Sequence, residues 1–239
     1  MPGFLVSNPV YRLPHSNVDA RILLITHRAL VEAFRLLRAQ PPAGFVLATA
    51  KEDDITREIY RILEDDLLRS RKGVKGFDRR RFDRVVRAPE VTNYDGTHVV
   101  RKPDLVLFIM NREHLRFPSQ DALFAECKPV DDAHAIGKHY CDRGIGKFVT
   151  GDYAWAMQEG MMIGYVRGGR QIGTHLAPVL AGSDRHAALG SPTPPAIVSP
   201  TAGDGEPLQA TFHQRIFEWP AGNGTACEIR IFHSWHHCS

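Results

Sequence analysis

The sequence has no run approaching about 18 consecutive apolar residues, so a membrane-spanning helix is not expected. Its first stretch, MPGFLVSNPVYRLPH, lacks the basic-then-apolar order of a secretory leader, and a cytoplasmic location is the expectation. Cysteine is scarce. Cys127, Cys141, Cys227 and Cys238 show no CxxC pairing, which argues against a disulfide framework and leaves free thiols as the simplest reading. Phosphate-cradling glycine loops are missing too: Gly144-Ile145-Gly146 and Gly168-Gly169 do not join a strand to a helix as that mechanism requires. Charge of one sign is nearly cancelled, with 30 Lys+Arg against 27 Asp+Glu and a net +3, so bulk charge does not argue for a nucleic-acid partner. No internal repeat is present.

What is there suits a folded chain. At 239 residues and 43% hydrophobic, it can bury a core, with one domain plus an appendage as the natural count. Residues 18–39 carry apolar positions at helical spacing and stop before Pro41-Pro42. A second helix fits 50–70, with Thr49 as N-cap and Glu52 three residues on, the capping-box pattern. Its apolar stripe is Ile55, Ile59, Ile62, Leu63 and Leu67. Arg84 to Glu90 reads as extended, Asp95-Gly96 as a hairpin turn, and Thr97 to Met110 as a strand. Residues 122–128 form a short apolar strand, a helix through Ala133, Ile136 and Tyr140 follows, and 161–166 is a buried strand. Residues 181–209 read as a long loop, and Thr211–Trp219 with Ala226–Trp235 as a terminal hairpin across Gly222-Asn223-Gly224. A mixed sheet flanked by helices follows, α/β or α+β. The chain divides into an N-terminal helical segment (1–44), a core (45–170) and a loop-rich C-terminal extension (171–239).

The chemistry gathers at strand ends. Asp104 follows Pro103 and opens the apolar run LVLFI, while Glu126 and Lys128 occupy alternate positions of FAECK. Strand period two puts those two side chains on one face and Cys127 on the other. A hard cation such as Mg²⁺ takes oxygen ligands from one or two carboxylates plus water and phosphate. Asp104 and Glu126 offer such oxygens, with the Cys127 carbonyl as a third, and Lys128 stands ready to orient water or offset developing charge. The alternative for Glu126 and Lys128 is a surface ion pair of little worth.

Pro103-Asp104, then Glu126-x-Lys128 about twenty residues on, with an acidic helix upstream, resembles the PD-(D/E)XK nuclease superfamily. The resemblance covers roughly residues 45–166. It implies a restriction-endonuclease-like fold, phosphodiester hydrolysis with Mg²⁺ or Mn²⁺, and DNA as the favoured substrate over RNA. Restriction, anti-phage defence or repair would suit such an enzyme, working as a homodimer or with a partner subunit that chooses the target. A non-catalytic nucleic-acid or protein interaction module on the same fold is the alternative. The upstream acid is Glu52, at the centre of the apolar stripe, or Glu58 on its flank; Glu52 also has the reading of a capping-box residue.

Other residues weigh less. Nine basic residues between Arg69 and Arg87 face two aspartates, and Arg79, Arg80, Arg81 and Arg84 make a phosphate-binding stripe or a solvated face. Lys138, His139, Tyr140 and Arg143, and Lys147 further on, are candidate contacts to nucleic acid or ordinary surface. His233, His236, His237 and Cys238 are too close in sequence for a closed zinc site and read as a strand end or tail.

Overall fold

The computed structural model describes residues 13–70, 73–112, 117–199 and 207–238. Arg71 and Lys72 of the basic run, and most of the leader-like stretch, lie outside them. Asp19 starts helix α1 (Ala20–Ala39) by accepting the Arg21 amide at 2.7 Å. Helix α2 (Glu52–Arg61) runs on as a π-helical stretch, Ile62–Leu68. The capping box is not formed. Thr49 sits in a turn, its hydroxyl donating to Val46, and the N-cap is Lys51 with no side-chain bond, so Glu52 is the first helical residue and its carboxylate is left to act elsewhere.

Seven strands follow among the described residues: β1 (Phe82–Arg87), β2 (Leu105–Ile109), β3 (Ala122–Val130), β4 (Glu159–Val166), β5 (Ala196–Ser199), β6 (Leu208–His213) and β7 (Ile229–His237). They form one mixed sheet in the order β1-β2-β3-β4-β7-β6-β5. β3, β4 and β7 are parallel, and antiparallel pairs flank them on both sides. A parallel step needs a crossover. Between β3 and β4 it is the π-helical stretch Gly137–Ile145 running into α3 (Gly146–Val149). Two further short helices, α4 (Ala177–Ala181) and α5 (Ser183–Ala188), come between β4 and β5. The chain is therefore α/β, a helix-flanked mixed sheet.

Strand parity sorts the layers. On β7, Ser234 bonds His27 of α1 at 2.9 Å and His236 stacks on Phe34, so even positions face α1. His233 and Trp235 face the other way, both bonding the Tyr140 hydroxyl of the crossover. His233 and His236 are thus interior, and with the half-buried His237 they form the end of a strand rather than a tail. His233 also meets Thr211 at 2.9 Å, and burial lowers its pKa to about 3, so it stays neutral.

Three expectations differ from the fold. The strand expected over Thr97–Met110 begins only at Leu105; the preceding segment makes a single bridge, Val91 to Arg101, around the Asn93–His98 turn. The stretch 181–209 holds α5 and β5. The terminal hairpin is shifted: β6 and β7 pair from Gln209–His233 to His213–Ile229, and β7 lies inside the sheet against β4 rather than in an extension. The intervening segment leaves the ladder because Phe217 and Trp219 pack on Trp155 in a second apolar cluster, tied down by buried Arg215.

Candidate active site

β2 stops one strand-length short of β3, and the site grows from that mismatch. Leu105 is the last β2 residue to pair, opposite Ala125, while β3 continues to Val130. The Cys127 amide thus has no ladder partner on the β2 side, and the Asp104 carboxylate takes it at 2.7 Å. Two residues on, the same side of the strand is reached by Pro129, which has no amide to satisfy.

On the face covered by the crossover, Glu126 and Lys128 project together, as strand period dictates. Cys127 turns to the opposite face, against Tyr165. Lys128 Nζ lies 2.8 Å from Glu52 Oε1, 2.9 Å from Glu126 Oε1 and 3.6 Å from Asp104 Oδ2, and donates to the Cys127 carbonyl at 2.7 Å. Three carboxylates, from the first residue of α2, the residue before β2 and the middle of β3, therefore meet at one ammonium. Gly144 lets the crossover close over the Lys128 stem: a Cβ there would collide with the end of Met162 and lie 3.6 Å from Lys128 Cγ.

Glu126 is the buried centre, 1% exposed, with Lys147 Nζ at 2.6 Å from Oε1 and the Tyr153 hydroxyl donating to Oε2. The side chains of Glu52 and Asp104 are 34% and 26% exposed, so the site opens on their side. Burial, and then the Glu126 charge, push the Asp104 pKa up to about 7, against the pull of Lys128 and the Cys127 amide. Burial pulls the Lys128 pKa down, but Glu126, Asp104 and Glu52 outweigh it and hold it above the ordinary lysine value.

Among the described residues, no group of three or more His, Cys, Asp or Glu side chains is spaced as a ready-made metal site. The Lys128 ammonium sits among the three carboxylates instead. The donor set nonetheless suits a hard cation. Three carboxylate oxygens lie within 3.6 Å of Lys128 Nζ and Lys147 is the second ammonium beside them, which leaves the cluster one cation short.

The other candidates are dispersed. Glu58 faces Arg57 and Arg61 at 3.2 and 3.3 Å and takes no part. Arg79, Arg80 and Arg81 line an open groove with Leu68 and Arg69 at the far end of the sheet, where Phe82 pairs with Ile109. Arg84 lies over the Phe108 ring at 4.7 Å. Lys138 is nearer the site: it sits one position before His139, whose pKa burial, His134, Arg143 and Lys138 lower while Glu52 pulls it back. Lys147, expected only as a phosphate contact, is a partner of Glu126. Tyr153 was not anticipated; nothing in the spacing of GDYAW marks it, because its approach depends on the turn after α3.

Compared with family models, curated proteins and solved structures, the chain finds no match.

Proposed function

We propose that the protein is a divalent-metal-dependent nuclease of restriction-endonuclease-like fold, acting on DNA. One observation carries this reading: Glu52, Asp104 and Glu126, far apart in sequence, bring carboxylate oxygens within 3.6 Å of Lys128 Nζ. A structural ion pair needs one carboxylate per ammonium; here three carboxylates meet two ammoniums, Lys128 and Lys147, at a partly buried site, and an anionic group in excess there is costly without a function.

Asp104, Glu126 and the Cys127 carbonyl would hold Mg²⁺ or Mn²⁺. When bound, the ion supplies a water of lowered pKa and offsets charge on the scissile phosphate. The chain's own residues divide the rest. Tyr153 and Lys147 fix the Glu126 carboxylate in orientation from its buried side. Asp104 is fixed by the Cys127 amide. Lys128, kept an ammonium by its neighbours, orients the attacking oxygen and stabilises charge developing on the phosphate. Glu52 holds Lys128 in place from the open side.

The test is cleavage of supercoiled plasmid, linear duplex, single-stranded DNA and RNA with Mg²⁺, with Mn²⁺ or with EDTA. Metal-dependent cleavage that Lys128→Ala and Glu126→Gln abolish supports the reading. Equal behaviour of wild type and Lys128→Ala on every substrate overturns it.

A further inference from the structure

A groove of about 640 Å³ runs between α1 and the loop that leads into β1, and it meets the arginine groove of the far end at Asp78 and Arg81. Arg21, Leu24, Ile25 and Arg28 line its helical wall at the spacing of one helix face. Lys75 and Gly76 belong to the opposite wall, which comes close: a Cβ on Gly76, at φ +90°, would lie 2.8 Å from Ile25 Cδ1. Glycine suits both the backbone angle and the contact, so the approach of the two walls is built into the chain.

The cations here differ from those next door. Arg69 and Arg79 reach Glu64, and Arg81 is held by Asp78 at 3.1 Å. Arg21, Arg28 and Lys75 are exposed and make no ion pair among the described residues. Asp78 is the one acid lining the groove, and Arg81 already takes it. Arg21 also lies in the first turn of α1, where the helix dipole opposes a cation. Asp19 beside it turns its carboxylate to the Arg21 amide. Between these charges the floor is apolar, with Ile25 buried and Leu24 half-buried.

Unpaired cations around an apolar floor match a ligand with separated anionic groups and an apolar group between them. A duplex backbone supplies the anions and nothing for the floor, whereas an acidic stretch of polypeptide supplies both. Arg21 and Arg28 stand about 10.5 Å apart along the helix axis, which is the span of about three residues of extended chain.

We propose that this groove docks an acidic segment of a protein partner, its carboxylates on Arg21, Arg28 and Lys75 and an apolar side chain on Leu24 and Ile25. The proposal goes beyond the nuclease reading and does not rest on it. Complementary charge steers such a segment to the groove and fixes its register, and the apolar contact selects it over other anions.

The experiment titrates the full chain, by fluorescence anisotropy, with a short labelled peptide of repeating Glu-Leu-Ser. Repeats of Gln-Leu-Ser and Glu-Ser-Ser, and an oligothymidylate of equal charge, are the comparisons. The Glu-Leu-Ser peptide is expected to bind about tenfold more tightly than its Gln counterpart, and to weaken as salt is added. Arg21→Glu with Arg28→Glu should remove most of that preference and melt near the wild-type temperature, because exposed, unpaired cations add little to stability. The same double variant should take up repeating Lys-Leu-Ser better than the wild type does, a gain that a misfolded protein would not show.

Equal binding of the Glu and Gln peptides overturns the proposal, as does an undiminished preference in the double variant. Glu-Ser-Ser binding as tightly as Glu-Leu-Ser overturns it too, because the floor would then select nothing. Oligothymidylate binding more tightly than the peptide, and lost in the double variant, would make the groove a nucleic-acid path instead.

Discussion

The two ends of the sheet handle charge in opposite ways. At the far end, a dense run of arginines in sequence is neutralised locally: Arg69 and Arg79 reach Glu64 at 3.1 and 3.5 Å, Arg81 reaches Asp78 at 3.1 Å, and Arg84 reaches Asp83 at 3.6 Å. At the near end, three acids at positions 52, 104 and 126 converge on one lysine. Linear charge density thus dissolves into local pairing, two arginines on the buried Glu64 carboxylate and the others on exposed aspartates, while charges scattered along the chain build an excess. Screening by solvent makes the exposed pairs there, Arg81 with Asp78 and Arg84 with Asp83, inexpensive. Burial of Glu126 and Lys128 makes the second one consequential.

The largest effects should come from the centre of the near end. Lys128→Ala and Glu126→Gln are each expected to lower the metal-dependent cleavage rate by about 10²–10³-fold, measured on supercoiled plasmid under single-turnover conditions. Lys128→Met should also cost about 1–3 kcal/mol in urea unfolding, since it strips one of two ammoniums from a buried carboxylate that Lys147 still holds. A Lys128→Met protein as stable as wild type would mean the convergence is not energetically real.

Next, the comparison sharpens within a single helix. Glu52 turns to Lys128 and Glu58 to two arginines, although both lie on α2. Glu52→Gln should slow cleavage by about tenfold or more through a loosened Lys128, whereas Glu58→Gln leaves the rate at wild-type level. Equal losses in the two variants would return Glu52 to the status of a first-turn residue complementing the helix dipole.

How much of this was legible beforehand differs residue by residue. Strand period alone put Glu126 and Lys128 on one face, and helix period aimed Glu52 inward, although the helix begins two residues later than expected and the capping box is not what holds it. The role of Asp104 as a substitute ladder acceptor was hidden, because it depends on where β2 stops relative to β3. Tyr153 was hidden for the same kind of reason, being placed by a turn that follows a helix. β7 escaped recognition as an interior strand because His233, Ser234 and His236 look like solvent-facing residues, until each is seen to have a buried partner. Pairing between distant residues decided every one of these cases, and no local pattern encodes it.

A smaller effect is expected at Tyr153. Its hydroxyl is buried against Glu126, and Tyr153→Phe leaves that carboxylate oxygen without its donor. Unfolding in urea should show a loss of about 1–3 kcal/mol. The cleavage rate should fall less than in Glu126→Gln, because Lys147 still holds the other oxygen at 2.6 Å. A loss of activity as complete as that of Glu126→Gln would place the phenol in the reaction itself.

The smallest effect belongs to the far end. When Arg79, Arg80 and Arg81 are replaced together by alanine, loss of the exposed Arg81–Asp78 pair should cost no more than about 1 kcal/mol. Loss of Arg79 from the buried Glu64 carboxylate should cost about 1 kcal/mol more, because Glu64 keeps Arg69 and the Val85 amide. Their groove lies at the opposite end of β1 and β2 from Asp104. Cleavage by the triple variant is therefore expected within about fivefold of wild type, with an unchanged salt dependence of DNA binding. Lys138→Ala and Arg143→Ala, close to His139 and the open side of the site, should each weaken binding and lower the salt slope by about one counterion. If the triple variant instead lowers the slope and the two near-end variants do not, the nucleic acid runs along the arginine groove. The run of positive charge that the sequence displays would then mark the substrate path after all, and the carboxylate end would need a different approach for its phosphate.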